Sequence, residues 1–390
     1  MTRFLRVSIS PLLSAVCFLT LSSPNLYALE PMNDQEMSNI TGQEFITIDT
    51  SAFDQGAGDW SGDYEFTKVN LGMQLETLFN IKELQLGRFG RTAYQDGTVP
   101  VTDDDGNIIY KNNVAQVYNA DLIINDFALG RVDNYDDGSL ASIVPFMAEN
   151  PYIELAYRNE NGERSVAGIR VGFERAQGDL SGELVSVTGV VEGQIRGDIQ
   201  VVYDNNCSGF NALAGNCLLL AASSDQEIYT QVDLLDGSSG NGADQLNTPY
   251  LKRASWFGVP TGRNFETDET GLIASLIPSL TTSNDCEVLG TPACFRSTSY
   301  ESIYIGDQDN DFETGSAAGV FLSVQLDTVP WEDLSGIPGS NRVLTERGAF
   351  MNIARYQSGG ETKYPLYLTL ENATRGSPRV ATCIGRIKGC

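Results

Sequence analysis

Histidine is absent from the 390 residues of the chain. Because the imidazole ring is the commonest general base and metal ligand near neutral pH, its absence excludes serine–histidine triads, HExxH zinc sites and phosphotransfer through histidine. The chain also lacks a GxSxG elbow and a glycine loop with the spacing of a dinucleotide site. Catalysis by two carboxylates stays open, although no pair stands out among the 51 acidic residues. We therefore predict that the protein is not an enzyme, with a carboxylate-dependent hydrolase as an alternative.

Basic residues are scarce, with 25 Lys and Arg against 51 Asp and Glu, so the formal net charge is −26. A negative field of this strength repels phosphate backbones and anionic lipid surfaces. Nucleic acid is therefore excluded as a predicted partner. Basic surfaces, divalent cations and uncharged glycans are compatible with the charge, and so is a simple role of the acidity in solubility.

Long apolar runs are missing after the N-terminus, because no later stretch approaches the roughly 18 apolar residues of a spanning helix. The first 28 residues instead have the layout of a secretory signal peptide, with Arg3 and Arg6, an apolar stretch from Leu12 to Leu21, and the small residue Ala28. Cleavage after Ala28 is expected, with an uncleaved anchor as the alternative. Loss of the two arginines changes the formal net charge from −26 to −28. We predict export to the periplasm, the outer surface or the extracellular space, without a transmembrane span in the mature chain.

Six of the seven cysteines fall into three pairs of near neighbours in the sequence. An even number of cysteines in an exported chain indicates disulfides, and pairing between neighbours is the simplest connectivity. A metal site is the rival interpretation, but no CxxC spacing and no histidine supports it. The predicted bridges are Cys207 with Cys217, Cys286 with Cys294, and Cys383 with Cys390.

Alternation of apolar and polar side chains predicts a mostly β protein from about Glu44 onward. The clearest hairpin joins residues 152–157 to residues 167–173 through Asn161-Gly162, a dipeptide that favours tight turns. A second hairpin is predicted around Asp105-Gly106. Further strands are predicted over residues 228–234, 320–326 and 366–370, and a helix is predicted over residues 343–356.

Glycines divide the segment from Gly172 to Ile199 into short apolar pieces. This pattern is typical of β-solenoid rungs or of consecutive, tightly turned strands of a sandwich. Residues 81–89 and 124–132 also match in residue type, which indicates either a repeated propeller or solenoid unit or a duplicated strand in one sandwich. The predicted fold class is all-β, with sandwich-like or solenoid-like modules, short helices and disulfide-pinned loops. The predicted divisions are a signal peptide (1–28), an N-terminal helical segment (29–48), a β domain (49–205) and a disulfide-containing β domain (206–390).

An acidic turn follows Gly306 and alternates carboxylates with other residues. Alternate carboxylates can converge on a hard cation such as calcium, the one cofactor that the sequence suggests. The turn is not an EF-hand, because Phe312 takes the place of the turn glycine and Ala318 that of the twelfth-position glutamate. A solvated turn without a metal is the alternative. The candidate ligands are Asp307, Asp309, Asp311 and Glu313.

Residues 34–43 match the pattern DxxMSxxTGQ, and residues 150–157 and 167–173 form the hairpin described above. These segments resemble exported Gram-negative proteins of the Fil type, which are associated with pilus assembly and filaments. The resemblance implies a surface-associated protein and carries over no catalytic residue.

Together these observations predict a secreted or cell-surface structural or adhesion component of a pilus-like filament or outer-surface assembly. Its expected partners are other surface or filament proteins and glycans, and its edge strands would supply the assembly contacts. A calcium-dependent glycan-binding module is the alternative that is not an enzyme.

Overall fold

Strands dominate the computed structural model of the chain, so the all-β prediction is confirmed. The structure describes residues 46–53, 63–88, 110–111, 114–115, 118–133, 142–160, 163–207, 217, 221, 226–235, 251–288, 291–339 and 341–382. The predicted N-terminal helix, the hairpin at residues 105–106 and the cysteines at 383 and 390 lie outside these ranges. The described strands up to residue 198 are β1 Ile46–Phe53, β2 Asp63–Leu71, β3 Gln74–Thr77, β4 Phe79–Leu86, β5 Tyr110–Lys111, β6 Val114–Ala115, β7 Leu122–Leu129, β8 Arg131–Asp133, β9 Ser142–Val144, β10 Phe146–Glu160 and β11 Glu163–Asp198. The strands after residue 198 are β12 Glu227–Leu235, β13 Leu251–Ala254, β14 Trp256–Gly258, β15 Glu287–Val288, β16 Thr291–Pro292, β17 Cys294–Arg296, β18 Ser302–Ile305, β19 Ala317–Ala318, β20 Phe321–Gln325, β21 Val329–Glu332, β22 Arg342–Thr345, β23 Gly348–Ile353, β24 Tyr356–Ser358, β25 Glu361–Lys363 and β26 Leu366–Thr369.

The helices of the described residues are short. In this part of the chain no helix has the length and apolarity needed to cross a membrane. The helices are α1 Ile199–Asn206, α2 Leu272–Leu280, α3 Phe312–Gly315 and α4 Leu370–Arg375, with a 3₁₀ turn at Ser297–Ser299.

The 36-residue strand β11 organises the fold, because nine of the described strands pair with it. The glycines in this segment bend one continuous strand, so both earlier interpretations of it, solenoid rungs and tightly turned strands, are wrong. At Gly178 (φ +138°) the strand leaves β10, and at Gly189 (φ +147°) a β-carbon would lie 2.0 Å from the carbonyl oxygen of Met351. Only glycine combines this φ with such a close approach of two backbones.

Pairing along β11 produces two sheets that share this strand. Sheet A has the order β1-β2-β10-β11-β20-β23, and β23 returns to pair in parallel with residues 189–191 of β11. Sheet B runs from β4 through β7, β11, β12 and β14 to β17. The main hydrophobic core contains residues of both sheets, and a second core contains Trp331 of the β21–β22 hairpin and Phe66 of sheet A.

The predicted hairpin of β10 and β11 is confirmed in register, with Tyr152 opposite Gly172 and Leu155 opposite Ile169. The strands predicted over 228–234, 320–326 and 366–370 are confirmed as β12, β20 and β26. The two similar stretches at 81–89 and 124–132 contain β4 and β7, which pair with each other. This pairing agrees with the interpretation of the stretches as similar strands of one sheet.

The helix predicted over residues 343–356 is wrong, because this segment contains β22, β23 and the start of β24. All six residues of β23 are buried. A strand covered on both faces loses its alternation and becomes a continuous apolar run, which periodicity cannot distinguish from a buried helix.

Two of the three predicted disulfides are confirmed, and each closes a short loop. The Cα atoms of Cys207 and Cys217 are 5.5 Å apart, and those of Cys286 and Cys294 are 5.0 Å apart. Residues 45–390 form one compact unit. The division into two β domains between residues 205 and 206 implies that each part folds independently, and it stays a prediction.

Candidate functional site

One face of sheet A carries two rows of uncharged side chains that cross all six strands in register. We call the solvent-exposed part of these rows the open face. Each row begins on the edge strand β1 and ends on β23. The first row is Ile48, Val69, Ile153, Val171, Leu322 and Met351, and the second is Thr50, Thr67, Leu155, Ile169, Val324 and Ala349.

The first row is exposed at the sheet edge and buried at its other end, although burial does not rise steadily between the two ends. Ile48 is 66% exposed, Ile153 is 49% exposed and Met351 is 3% exposed. Strands β4 and β7 cover only the far end of the row, where Val171 and Leu322 line an apolar cavity of about 180 Å³ together with residues of those strands. The near end is therefore an apolar sheet face that no described element covers.

Strand β1 is exposed on both faces and pairs with β2 alone among the described strands. It contains no Lys or Pro, and Asp49 is its one charged residue. Natural edge strands usually carry such residues, or are covered, because an unpaired row of backbone N–H and C=O groups invites another strand. As far as the described residues show, the edge of β1 is therefore open to pairing with another chain.

The opposite face of sheet A contains a buried ion pair beneath the β21–β22 hairpin. Arg170 and Glu154 are 0% and 2% exposed, and the Arg170 Nε donates to the Glu154 carboxylate. The Arg170 Nη1 also donates to the Glu332 carbonyl oxygen at 2.8 Å. The guanidinium carbon lies 5.2 Å from the ring centroid of Trp331, and burial raises the pKa of the neighbouring Tyr152 to about 12. This face therefore has a structural role, and the open face is the one available for contact.

Sheet B holds a second buried charge site, which consists of two acids on neighbouring strands. Glu192 of β11 lies opposite Asp233 of β12, and both are buried. The Arg355 backbone N–H donates to Glu192 Oε2 at 2.8 Å, and Gln231 Nε2 donates to Asp233 Oδ1 at 2.7 Å. Burial and then the nearby Glu192 charge raise the pKa of Asp233 to about 8. Asp233 is therefore mostly protonated at neutral pH.

This raised pKa predicts a pH dependence of stability that the substitution Asp233→Asn should remove. Between about pH 4 and pH 8 the unfolded chain loses the Asp233 proton while the folded chain keeps it, so stability falls as pH rises through this window. At pH 8 the variant should be more stable than the parent by up to about 5 kcal/mol, and at pH 4 the two should agree. Urea unfolding across this range measures the difference.

Asp309→Asn is the matched control, because Asp309 is an exposed aspartate. Its stability difference from the parent should stay within about 0.5 kcal/mol at every pH. A constant offset between Asp233→Asn and the parent from pH 4 to pH 8 would contradict the protonated state of Asp233.

The predicted calcium ligands all lie in or beside one turn, and three of them make local contacts. Asp307 accepts from the Asp309 backbone N–H at 3.0 Å, and Asp311 caps α3 by accepting from the Thr314 backbone N–H at 3.1 Å. The Thr314 hydroxyl also donates to Asp311, at 2.7 Å, and the hydrogen bonds from this hydroxyl and from the backbone N–H lower the pKa of Asp311. Glu313 faces Arg175 at 3.4 Å. Within the described ranges, no three acidic or cysteine side chains are grouped to hold a metal ion. Calcium binding here stays a prediction.

Comparison of the chain with protein-family models, with curated protein sequences and with solved structures finds no match. The function is therefore inferred from the geometry of the open face, the β1 edge and the buried acids. The sequence alone did not predict that the residues of each of these three sites lie together. The available signal for the buried acids was a charge flanked by apolar residues, as in Val190-Val191-Glu192 and Val232-Asp233-Leu234.

Proposed function

We propose that this protein is an exported structural component that assembles with further copies of itself through the open face and the β1 edge. The observation that carries the proposal is the pair of in-register rows that are exposed at β1 and buried at β23. Exposed contiguous apolar patches of this kind mark contact surfaces on soluble proteins. A pilus-like filament or another outer-surface assembly is the function that such contacts would serve.

A second copy is the partner that best fits the chemistry of the open face. The two rows contain no charged residue, although the chain as a whole has a formal net charge of −26. A basic or acidic partner would find no counter-charge in the two rows, whereas a second open face offers the same flat, β-branched surface. Sheets pack face to face at a spacing of ~10 Å through such side chains.

The β1 edge supplies a contact of a different kind. Two β1 strands related by a two-fold axis can pair in antiparallel fashion and join two sheets A into one. A two-fold contact alone produces a closed dimer. If face contacts and edge contacts alternate, however, each added copy leaves a free contact and the assembly can grow without limit. The two features together therefore support a linear assembly, as a filament requires.

The substitution Ile153→Lys tests the face contact. The chain purified after export should form species larger than dimers as concentration rises, and more so at high salt, because ions screen the repulsion between acidic copies. The lysine should abolish species larger than dimers, because the edge contact that remains can only form pairs. Analytical ultracentrifugation measures the distribution, and circular dichroism confirms that the fold is retained.

Ile143→Lys is the matched control, because Ile143 is a 51% exposed isoleucine on β9, which pairs with β8 in a separate sheet and belongs to neither row. This variant should assemble like the parent. The proposal fails if the parent chain is monomeric under all conditions, or if both lysine variants lose assembly equally. In cells, mechanical shearing should release the parent from the surface as assemblies, and the Ile153→Lys chain as dimers or monomers.

A further inference from the structure

A polar cleft opens on the face of sheet B that carries the buried acids. Its volume is about 220 Å³. The floor is formed by Gln194 and Gln231, which lie opposite each other on β11 and β12. Tyr229, Tyr364 and residues of the 260–266 loop form the walls. Drug-sized ligands need pockets of ~300–1,000 Å³, so this cleft suits one small molecule.

The loop wall of the cleft is held in place by backbone hydrogen bonds. Tyr229 and Glu266 exchange two N–H···O bonds of 2.9 and 2.8 Å, and the Ser283 N–H donates to the Arg263 carbonyl oxygen at 2.7 Å. The Thr230 hydroxyl donates to the Asn264 carbonyl oxygen at 2.7 Å. The side chains that face the cleft are thus positioned before any ligand arrives, which reduces the cost of ordering them on binding.

Charges around the cleft nearly cancel, in contrast to the acidic chain as a whole. Arg263 and Glu266 line it, and Glu192 and Arg355 lie behind Gln231. Beside Tyr229, Arg196 pairs with both Asp268 and Glu227. Glu266 and the negative field of the protein would repel an anion, and the arginines would repel a cation. The Gln231 amide donates to Asp233 and accepts from the Tyr364 hydroxyl at 3.3 Å, so it is fixed in orientation.

We propose that this cleft binds one neutral saccharide unit. Sugar hydroxyls both donate and accept hydrogen bonds, and so do side-chain amides such as those of Gln194 and Gln231. The hydroxyls of Tyr229 and Tyr364 already donate to Asp268 and Gln231, so they serve as acceptors for a sugar hydroxyl. The rings of Tyr229 and Tyr364 add apolar area for the faces of a sugar. Local charge balance selects an uncharged ligand over a sugar acid or an amino sugar. The site is separate from the open face, so binding here does not depend on self-assembly.

Saturation-transfer NMR on the full exported chain tests the proposal with named probes. Glucose, galactose and N-acetylglucosamine are the neutral sugars, glucuronate and glucosamine are the charged comparators, and alanine is a zwitterion. At least one neutral sugar should receive saturation from the protein and should bind more tightly than every charged or zwitterionic probe. Gln194→Met and Tyr364→Phe should each weaken that binding by about tenfold or more.

Gln85→Met is the matched control, because Gln85 is an exposed glutamine on β4, away from the cleft. This variant and Ile153→Lys should bind the sugar as the parent does. The proposal is overturned if none of the neutral sugars binds, if a charged or zwitterionic probe binds more tightly, or if binding survives both Gln194→Met and Tyr364→Phe in folded protein.

Discussion

Replacing Gly189 with alanine should destabilise the fold by roughly 2–6 kcal/mol, which combines a strained φ of ~1–3 kcal/mol with overpacking of ~1–3 kcal/mol. The added β-carbon would lie 2.0 Å from the Met351 carbonyl oxygen, and the backbone there has a φ of +147°. Neither strand can move away freely, because β11 and β23 pair at this residue. Urea unfolding with the disulfides intact measures the loss.

Gly359→Ala separates the two causes. Gly359 also has a positive φ, of +61°, but an added β-carbon would meet nothing within 4 Å. This control should therefore show the conformational cost alone, about 1–2 kcal/mol. If the two variants lose the same stability, the close approach of β11 to β23 does not limit the choice of residue at position 189.

The substitution Arg170→Met should cost roughly 3–5 kcal/mol, because it leaves the buried Glu154 carboxylate without its partner. The substitution also removes the donor to the Glu332 carbonyl oxygen and the cation that packs against Trp331. Chemical unfolding measures the loss.

The double variant Glu154→Leu with Arg170→Met tests the cause. Exchange of a whole buried ion pair for apolar side chains is often close to neutral, so most of the loss should be recovered. Lys363→Met removes an exposed pair with Glu361 and should cost less than ~1 kcal/mol. A double variant as unstable as Arg170→Met would show that packing of the guanidinium, rather than the unpaired carboxylate, accounts for the loss.

Local alternation predicted those parts of the fold in which one face of a strand is buried. The hairpin of β10 and β11 follows this rule, since Ile153 and Leu155 alternate with Tyr152 and Glu154 on opposite faces. The rule failed for β23, which is buried on both faces, and for β11, whose glycines resemble turn residues in sequence. Whether a glycine ends a strand or bends it depends on distant backbone, such as that of Met351 at Gly189.

The open face and the buried acid pair could not be predicted because their members are far apart in sequence. Ile48, Ile153 and Leu322 fall into one row only through strand register, and Glu192 meets Asp233 across a pairing of two distant segments. Short disulfide loops, in contrast, were predictable because near neighbours in sequence are near neighbours in space. The acidic turn at 307–313 was equally visible in sequence, but its carboxylates cap and order the local backbone.

The nine partners of β11 bear on when the chain can fold. They extend from β7, which begins at Leu122, to β26, which ends at Thr369, and only β10 is joined to β11 by a short connection. Contacts between such distant segments form slowly. Neither sheet can be completed until almost the whole polypeptide is available, so a chain threaded through a translocation channel would remain unfolded during its passage and acquire its structure on the far side.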